Sequence, residues 1–475
     1  MSVISFPDSI LAPWLKAISN DPDLKVAHGY SGSTGLHATS SQDALCRYPL
    51  NTESLISSSE GCSLSSGTGV ELFTRHILPS IEAAEHEVIL VTCFWAASPT
   101  LEALKTSLKR LSDKAVKQQR EGYRNAPVKV RICFSSSSLL QKLLHTSSLR
   151  GQLYHQSQFK RKLGLQDPGE LPGLDIKIKS LFIRPFSVMH SKFIIIDRQT
   201  VLLPSCNVSW EEWYEGCIKL IGPIVLQVWQ FWKGVWNFDE GDDAKDHFYD
   251  NQPGSNAFST VGTIRTILLP STHHSSWKFS FWPWSSTPAP STPLNAFILN
   301  ILGAAKCAVY IQTPNLTSQP VLDAVFECLQ RGVDVTIVSN QRMMLLEQLV
   351  TAGRTTHSCL RALNERYLKL VRSYLTAFED HPPERAAELE EGRIQATLGS
   401  LGIFYWHSEN APKVSHLKLT IVDEEVCVLG SGNMDRASWF TSQELGIAFF
   451  SKEVVANVRK EFVDTAKANH RPALM

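Results

Sequence analysis

The chain has no surplus of either charge: its 475 residues carry 46 Lys plus Arg against 46 Asp plus Glu. No global basic field exists to capture nucleic acid or an anionic membrane by charge alone, so an anionic substrate must be held locally. Metal-ligand spacing is missing too. The ten cysteines are scattered, with no C-x-x-C pair and no His/Cys cluster, which argues against a zinc site and for a reduced, intracellular setting. No run approaches the roughly 20 apolar residues of a spanning helix. The nearest, residues 220 to 238, is interrupted by Gln227, Gln230 and Lys233, and its helical periodicity reads as a core helix. The N-terminus lacks a basic start and carries Asp8, Asp21 and Asp23, so no cleaved targeting signal is expected. The expected location is cytoplasmic or at a membrane periphery.

Against these absences stands a repeat. His190-Ser191-Lys192, four residues and Asp197 recur as His416-Leu417-Lys418, four residues and Asp423. After a gap of six residues from each Asp come Pro204-Ser205-Cys206-Asn207 and Gly430-Ser431-Gly432-Asn433. The copies lie 226 residues apart, from 190 to 416, close to half the chain. A duplicated unit whose two halves build one site is the simplest reading.

The surrounding elements repeat as well. Buried-strand runs at 87–94 and 308–313 are each followed by a helical pattern and further strands, and the His follows after 102 residues (88 to 190) and 107 residues (309 to 416). Such alternation predicts an α/β fold of two similar domains packed face to face with pseudo-twofold symmetry. The expected organisation is an N-terminal helix with a Ser/Gly-rich loop region over 1–68 and a first domain over 69–250. A Ser/Pro/Trp-rich connecting loop over 251–293 leads to a second domain over 294–475 with a helical insertion at 341–399. In the connecting loop, Trp277, Phe279, Phe281, Trp282 and Trp284 either reach a lipid interface or fold back onto the seam. The insertion's Glu384, Glu388, Glu390 and Glu391 read as a solvated acidic face.

The chemistry follows from residue types. A Lys beside each His repels a divalent cation and welcomes an anion, so no metal and no cofactor are expected. Lys192, Lys418, Asn207 and Asn433 supply donors for phosphate oxygens. On a bound phosphodiester, a neutral imidazole attacks phosphorus while a protonated one gives its proton to the departing oxygen. His190 and His416 are thus expected in opposite protonation states, with Glu215 and Glu444 as candidate imidazole partners. Ser205 and Ser431 accompany the Asn residues, and Asp197 and Asp423, at strand ends, are expected to act as structural hydrogen-bonders.

These residues resemble the phospholipase D superfamily, whose signature is H-x-K-x4-D-x6-G-[GS]-x-N. The second copy matches in full; the first departs at Pro204, where the family usually has Gly. The resemblance covers roughly residues 70 to 470. It implies a metal-independent phosphodiesterase or phosphatidyl transferase working through a phosphohistidine, with His190 as nucleophile and His416 as acid. One chain holds both copies, so a monomer suffices for one site.

Three readings are carried forward. The leading one is phospholipid headgroup chemistry, hydrolysing or transferring a phosphatidyl group, with peripheral membrane contact and no nucleic-acid partner. The second is a nuclease using the basic segments Lys105 to Arg131 and Lys160 to Lys162. The third is a non-catalytic phosphate binder.

Overall fold

The computed structural model describes residues 7–19, 52–138, 151–183, 187–236, 260–272, 289–379 and 398–473, with the single residues 141, 238 and 258. The aromatics at 277–284 and the acidic cluster at 384–391 lie outside the described residues.

The first half contributes strands β1 (Ile56–Gly67), β2 (Glu87–Phe94), β3 (Val128–Ser136), β4 (Gln152–Tyr154), β5 (Leu174–Ser180), β6 (Phe193–Ile196), β7 (Thr200–Pro204) and β8 (Glu215–Ile221). The second contributes β9 (Thr260–Ser271), β10 (Ala308–Gln312), β11 (Asp334–Ser339), β12 (Leu401–Trp406), β13 (Leu419–Val422), β14 (Val426–Gly430), β15 (Glu444–Phe449) and β16 (His470–Pro472). All sixteen form one sheet in the order β16-β12-β11-β10-β13-β14-β15-β9-β1-β8-β7-β6-β2-β3-β5-β4. Read outward from the β9–β1 pair, both wings run through a hairpin, then a parallel pair (β2 with β3, β10 with β11). This repeat of order about the sheet centre is the pseudo-twofold relation of the two α/β halves.

Helices cover the sheet: α1 (Asp8–Ser19), α2 (Pro99–Arg120), α3 (Ile224–Trp236), α4 (Pro293–Ala304), α5 (Gln319–Gln330), α6 (Leu345–Ala352), α7 (Thr356–Glu379), α8 (Arg436–Phe440) and α9 (Lys452–Val458). The period-2 alternation of β2 feeds two cores. Val88 and Leu90 pack with Leu101, Leu104 and Leu108 of α2, whereas Ile89 and Val91 join the larger core that holds α3, α4 and the second half. Local signals set the helix starts: Ser98 caps α2 and Thr292 caps α4, each followed by Pro at the first helical position. The apolar segment ending at 238 contains α3, whose Val228, Trp229 and Phe231 are buried. Among the described residues no helix is long and apolar enough to cross a membrane.

Two expectations about loops are corrected. Residues 56–67, inside the segment read as a Ser/Gly-rich loop, form β1, and residues 260–271, inside the expected connecting loop, form β9. These two strands pair antiparallel at the sheet centre, Ile56 opposite Ile267 and Ser59 opposite Ile264. β1 misleads because its length is mostly Ser and Gly; its strand state comes from being hydrogen-bonded on both sides, by β8 and β9, an instance of tertiary context overriding propensity.

Candidate active site

The repeated motifs meet where the halves touch. Each His-x-Lys triplet is extended but lies just before its strand, since β6 begins at Phe193 and β13 at Leu419. The triplets are clipped to the opposite half. His190 N–H donates to the Gln443 carbonyl at 2.8 Å, and His416 N–H donates to the Tyr214 carbonyl at 2.8 Å. Gln443 and Tyr214 each immediately precede a glutamate, so each clip also brings a carboxylate to the histidine of the opposite half.

The glutamates cross over. His190 Nδ1 lies 2.9 Å from both Glu444 carboxylate oxygens. His416 Nδ1 lies 2.9 and 3.1 Å from those of Glu215. Each imidazole is thus oriented by a carboxylate of the other half. The serine of each motif holds the glutamate of its own half: Ser205 Oγ donates to Glu215, and Ser431 Oγ donates to Glu444 at 2.5 Å. Ser205 N–H also donates to Gly216 O, as Ser431 N–H does to Leu445 O. Pro204 therefore leaves this bond intact. At the matching place a Cβ on Gly430 would collide with the Leu445 carbonyl, whereas Pro204 pairs with Cys217 in regular register.

The halves differ in detail. Glu444 accepts a further bond from Ser438 Oγ at 2.6 Å. Ser438 N–H in turn donates to Asp435 at 2.8 Å, and Asn433 Nδ2 donates to Asp435 at 3.0 Å. Asn433 Oδ1 is buried without a hydrogen-bond partner among the described residues. Asn207 Oδ1 accepts from Phe94 N–H at 3.2 Å. Trp213 packs on the His416 ring with centroids 4.9 Å apart, and Trp210, in the same loop, is 56% exposed. His190 keeps 14% of its side chain exposed against 4% for His416.

Lys192 Nζ donates to its own His190 carbonyl at 2.9 Å and Lys418 Nζ to the His416 carbonyl at 2.7 Å. Both are buried. Each ammonium spends one of three protons there. Burial, reinforced by Lys192, holds Lys418 well below the usual ammonium range. Burial pushes Glu215 up to about 7 against the pull of Lys418 and Ser205. His416 is held well below its ordinary value by burial and then by Lys418 and Lys192. Burial also lowers His190, with Glu444 opposing. A buried glutamate pushed up beside a buried imidazole pushed down makes a pair that carries one shared proton near neutrality.

Asp197 and Asp423 are occupied elsewhere. Asp197 accepts backbone N–H bonds from Glu85, His86 and Glu87 at 2.7–2.8 Å. Asp423 accepts from Lys306, Cys307 and Ala308 at 2.7–2.9 Å. Each sits with positive φ, 50° and 51°, in the tight turn of its hairpin. Aspartate suits a turn that needs both a left-handed residue and an acceptor.

Sequence reasoning did not single out Asp435, Ser438, Gln443 or Trp213. The available signals were the Trp-x-x-Trp spacing after Asn207 and the Gln preceding Glu444, neither specific by itself.

The two H-x-K motifs thus meet at the interface of paired α/β halves. A family model described as cardiolipin synthase, PLD-like domain, matches residues 298–465. The chain is 20% identical over 310 residues to a cardiolipin synthase of Staphylococcus aureus, covering 62% of this chain and 49% of that protein. It is 24% identical over 175 residues to cardiolipin synthase 2 of Staphylococcus epidermidis, covering 36% and 27%. The match thus spans about half the length or less of these curated relatives. In fold it is similar to the phosphatidylserine synthase of Haemophilus influenzae Rd KW20, with a TM-score of 0.52, 14% identity, and coverage of 95% of this chain and 92% of that one. The chain is thus similar to phospholipase D-type proteins, with the family match confined to residues 298–465.

Proposed function

We propose that the protein is a phosphodiesterase or phosphatidyl transferase acting on phospholipids through a phosphohistidine. The observation that carries this reading is the crossed pair of His–Glu contacts, His190 with Glu444 and His416 with Glu215, beside two buried lysines. His190 Nδ1–H bonded to Glu444 leaves the Nε2 lone pair for phosphorus. His416, sharing its proton with Glu215, presents Nε2–H to the leaving oxygen. Attack forms the P–N bond as the P–O bond to the leaving group breaks, and that oxygen takes the His416 proton. Water or an alcohol then gives a proton to His416 as its oxygen attacks phosphorus and the P–N bond breaks. Lys192, Lys418, Asn207 and Asn433 stabilise the phosphoryl oxygens.

Similarity to synthases of cardiolipin and phosphatidylserine supports a lipid substrate. The basic segments favoured by a nuclease are largely neutralised by neighbours: Lys105 with Glu102, Lys109 with Asp113, Arg110 with Glu82, Lys114 with Glu85 and Lys160 with Asp167. Dispersed phosphatidylglycerol, phosphatidylcholine and cytidine-diphosphate diacylglycerol, with single-stranded DNA in parallel, test the substrate class. Turnover of a lipid is expected, with a transfer product that grows with added glycerol. DNA cleavage without lipid turnover overturns the reading.

The shared proton gives a pH signature. Glu215, raised to about 7, and His416, lowered, together lose the general-acid proton as pH climbs through about 7, so kcat/KM should fall tenfold per unit above that point. Glu215→Gln leaves His416 to titrate alone, and burial places that titration lower. The alkaline limb should move toward acid and the maximum rate should drop. An unmoved limb in Glu215→Gln contradicts the assignment.

A further inference from the structure

We propose that Trp213 is a positioning residue of the reaction, its indole holding the His416 imidazole in place and favouring the protonated ring that delivers the leaving group's proton, an inference that rests on the reading of His416 as general acid above. The indole packs on the imidazole with centroids 4.9 Å apart and planes at 52°. Backbone fixes its place. Tyr214 N–H donates to the Val414 carbonyl and His416 N–H to the Tyr214 carbonyl, each at 2.8 Å, and Tyr214 pairs with Ser415 in a short bridge. The segment 213–215 thus reaches His416 in three ways, by the Trp213 ring, the Tyr214 carbonyl and the Glu215 carboxylate. The other end of the same loop is held as well: Ala96 N–H donates to the Val208 carbonyl at 2.9 Å, and Trp210 meets Phe94 edge to face, with centroids 5.8 Å apart.

The opposite half repeats the clip without the ring. Gln443 N–H donates to the Val188 carbonyl at 2.9 Å, and the Gln443 carbonyl accepts from His190 N–H at 2.8 Å. Glu444 reaches His190 as Glu215 reaches His416. The residue that matches Trp213 is Ser442, which is buried. Duplicated backbone geometry therefore leaves an aromatic ring as a difference between the two histidines, and the ring falls on the one read as acid. Charge gives it a use. Burial, then Lys418, Lys192 and His190, disfavour a charged His416, while Glu215 faces it at 2.9 Å. An indole presents a negative π face to an imidazolium and adds no titratable group of its own.

The test compares the full chain with Trp213→Leu and Trp213→Met, which keep apolar bulk but have no π face, and with Trp213→Phe, which keeps one. Dispersed phosphatidylglycerol and phosphatidylcholine expel an alkoxide that needs a proton, whereas bis(p-nitrophenyl) phosphate, a soluble diester, expels a p-nitrophenolate that needs none. Turnover of the faster lipid should fall about tenfold in Trp213→Leu and Trp213→Met. First-turnover release of p-nitrophenolate should change by no more than about twofold in the same variants. The alkaline limb of kcat/KM on the lipid should move toward acid in both, because an imidazolium without its π partner loses its proton at lower pH. Trp213→Phe should restore most of both readouts. Equal losses on lipid and on first-turnover release, an unmoved limb, or failure of both aliphatic variants to fold would make Trp213 merely structural and overturn the proposal. A wild type that turns over the soluble diester but neither lipid expels no alkoxide and overturns the role of Trp213 alone. One that turns over neither lipid nor soluble diester refutes the proposed function itself.

Discussion

Replacing His190 with Ala should abolish turnover, by roughly 10⁴-fold or more, because no other group can form the covalent intermediate. His416→Ala should behave differently with different leaving groups. An alkoxide needs a proton, so lipid turnover should fall by about 10²–10⁴-fold. A p-nitrophenolate needs none, so His416→Ala should still accept the phosphoryl group from a p-nitrophenyl diester and should then hold it, since the base for the second half-reaction is gone. After denaturation at alkaline pH, where a P–N bond survives, labelled diester should leave His416→Ala carrying label on His190 and His190→Ala carrying none. The direction of this assignment rests on two differences between the halves. His190 is the more accessible imidazole, and its partner Glu444 accepts from two serine hydroxyls, Ser431 and Ser438, whereas among the described residues Glu215 accepts from one, that of Ser205. Label found on His416 in His190→Ala would reverse the roles, and full lipid turnover by either variant would refute a shared site.

The second large effect is on stability. Asp197→Ala should destabilise the fold by about 3–6 kcal/mol, since it strands three backbone N–H groups, one of them fully buried, and puts alanine in a left-handed turn. Asp423→Ala should cost less, roughly 1–3 kcal/mol, because two of its three donors are exposed and water can replace the carboxylate. Urea denaturation midpoints compare the two. Asp197→Asn, which keeps the turn conformation and one acceptor, should recover much of the loss and turn over substrate at nearly the wild-type rate. An Asp197→Asn protein as stable as wild type but inactive would place this carboxylate in the chemistry.

The two motifs and the order of strands and helices were legible because both are written in local pattern. Buried parallel strands such as β2 read as unbroken apolar runs, and a five-position spacing repeated once is hard to produce by accident. β1 and β9 were not legible. β1 is rich in Ser and Gly, and its two neighbours, β8 and β9, are remote in sequence, so no local pattern announces it. Glu215 and Glu444 were recognisable as imidazole partners, but which imidazole each reaches depends on Tyr214 and Gln443 clipping the opposite triplet. That is a property of the assembled interface. Asp435 and Ser438 escaped for a related reason: the first copy has Ser209 where the second has Asp435, so a search for repetition passes over what only one half possesses.

The crossed glutamates also bear on the life of the chain before it is finished. His190 and its carboxylate are 254 residues apart, and His416 and its carboxylate 201. A nascent chain that has completed only its first half holds a histidine without its orienting acid and an acid without its histidine. On the proposed reaction, diester turnover is therefore expected only once the last strands have docked, and a fragment that ends before Glu444 should show none.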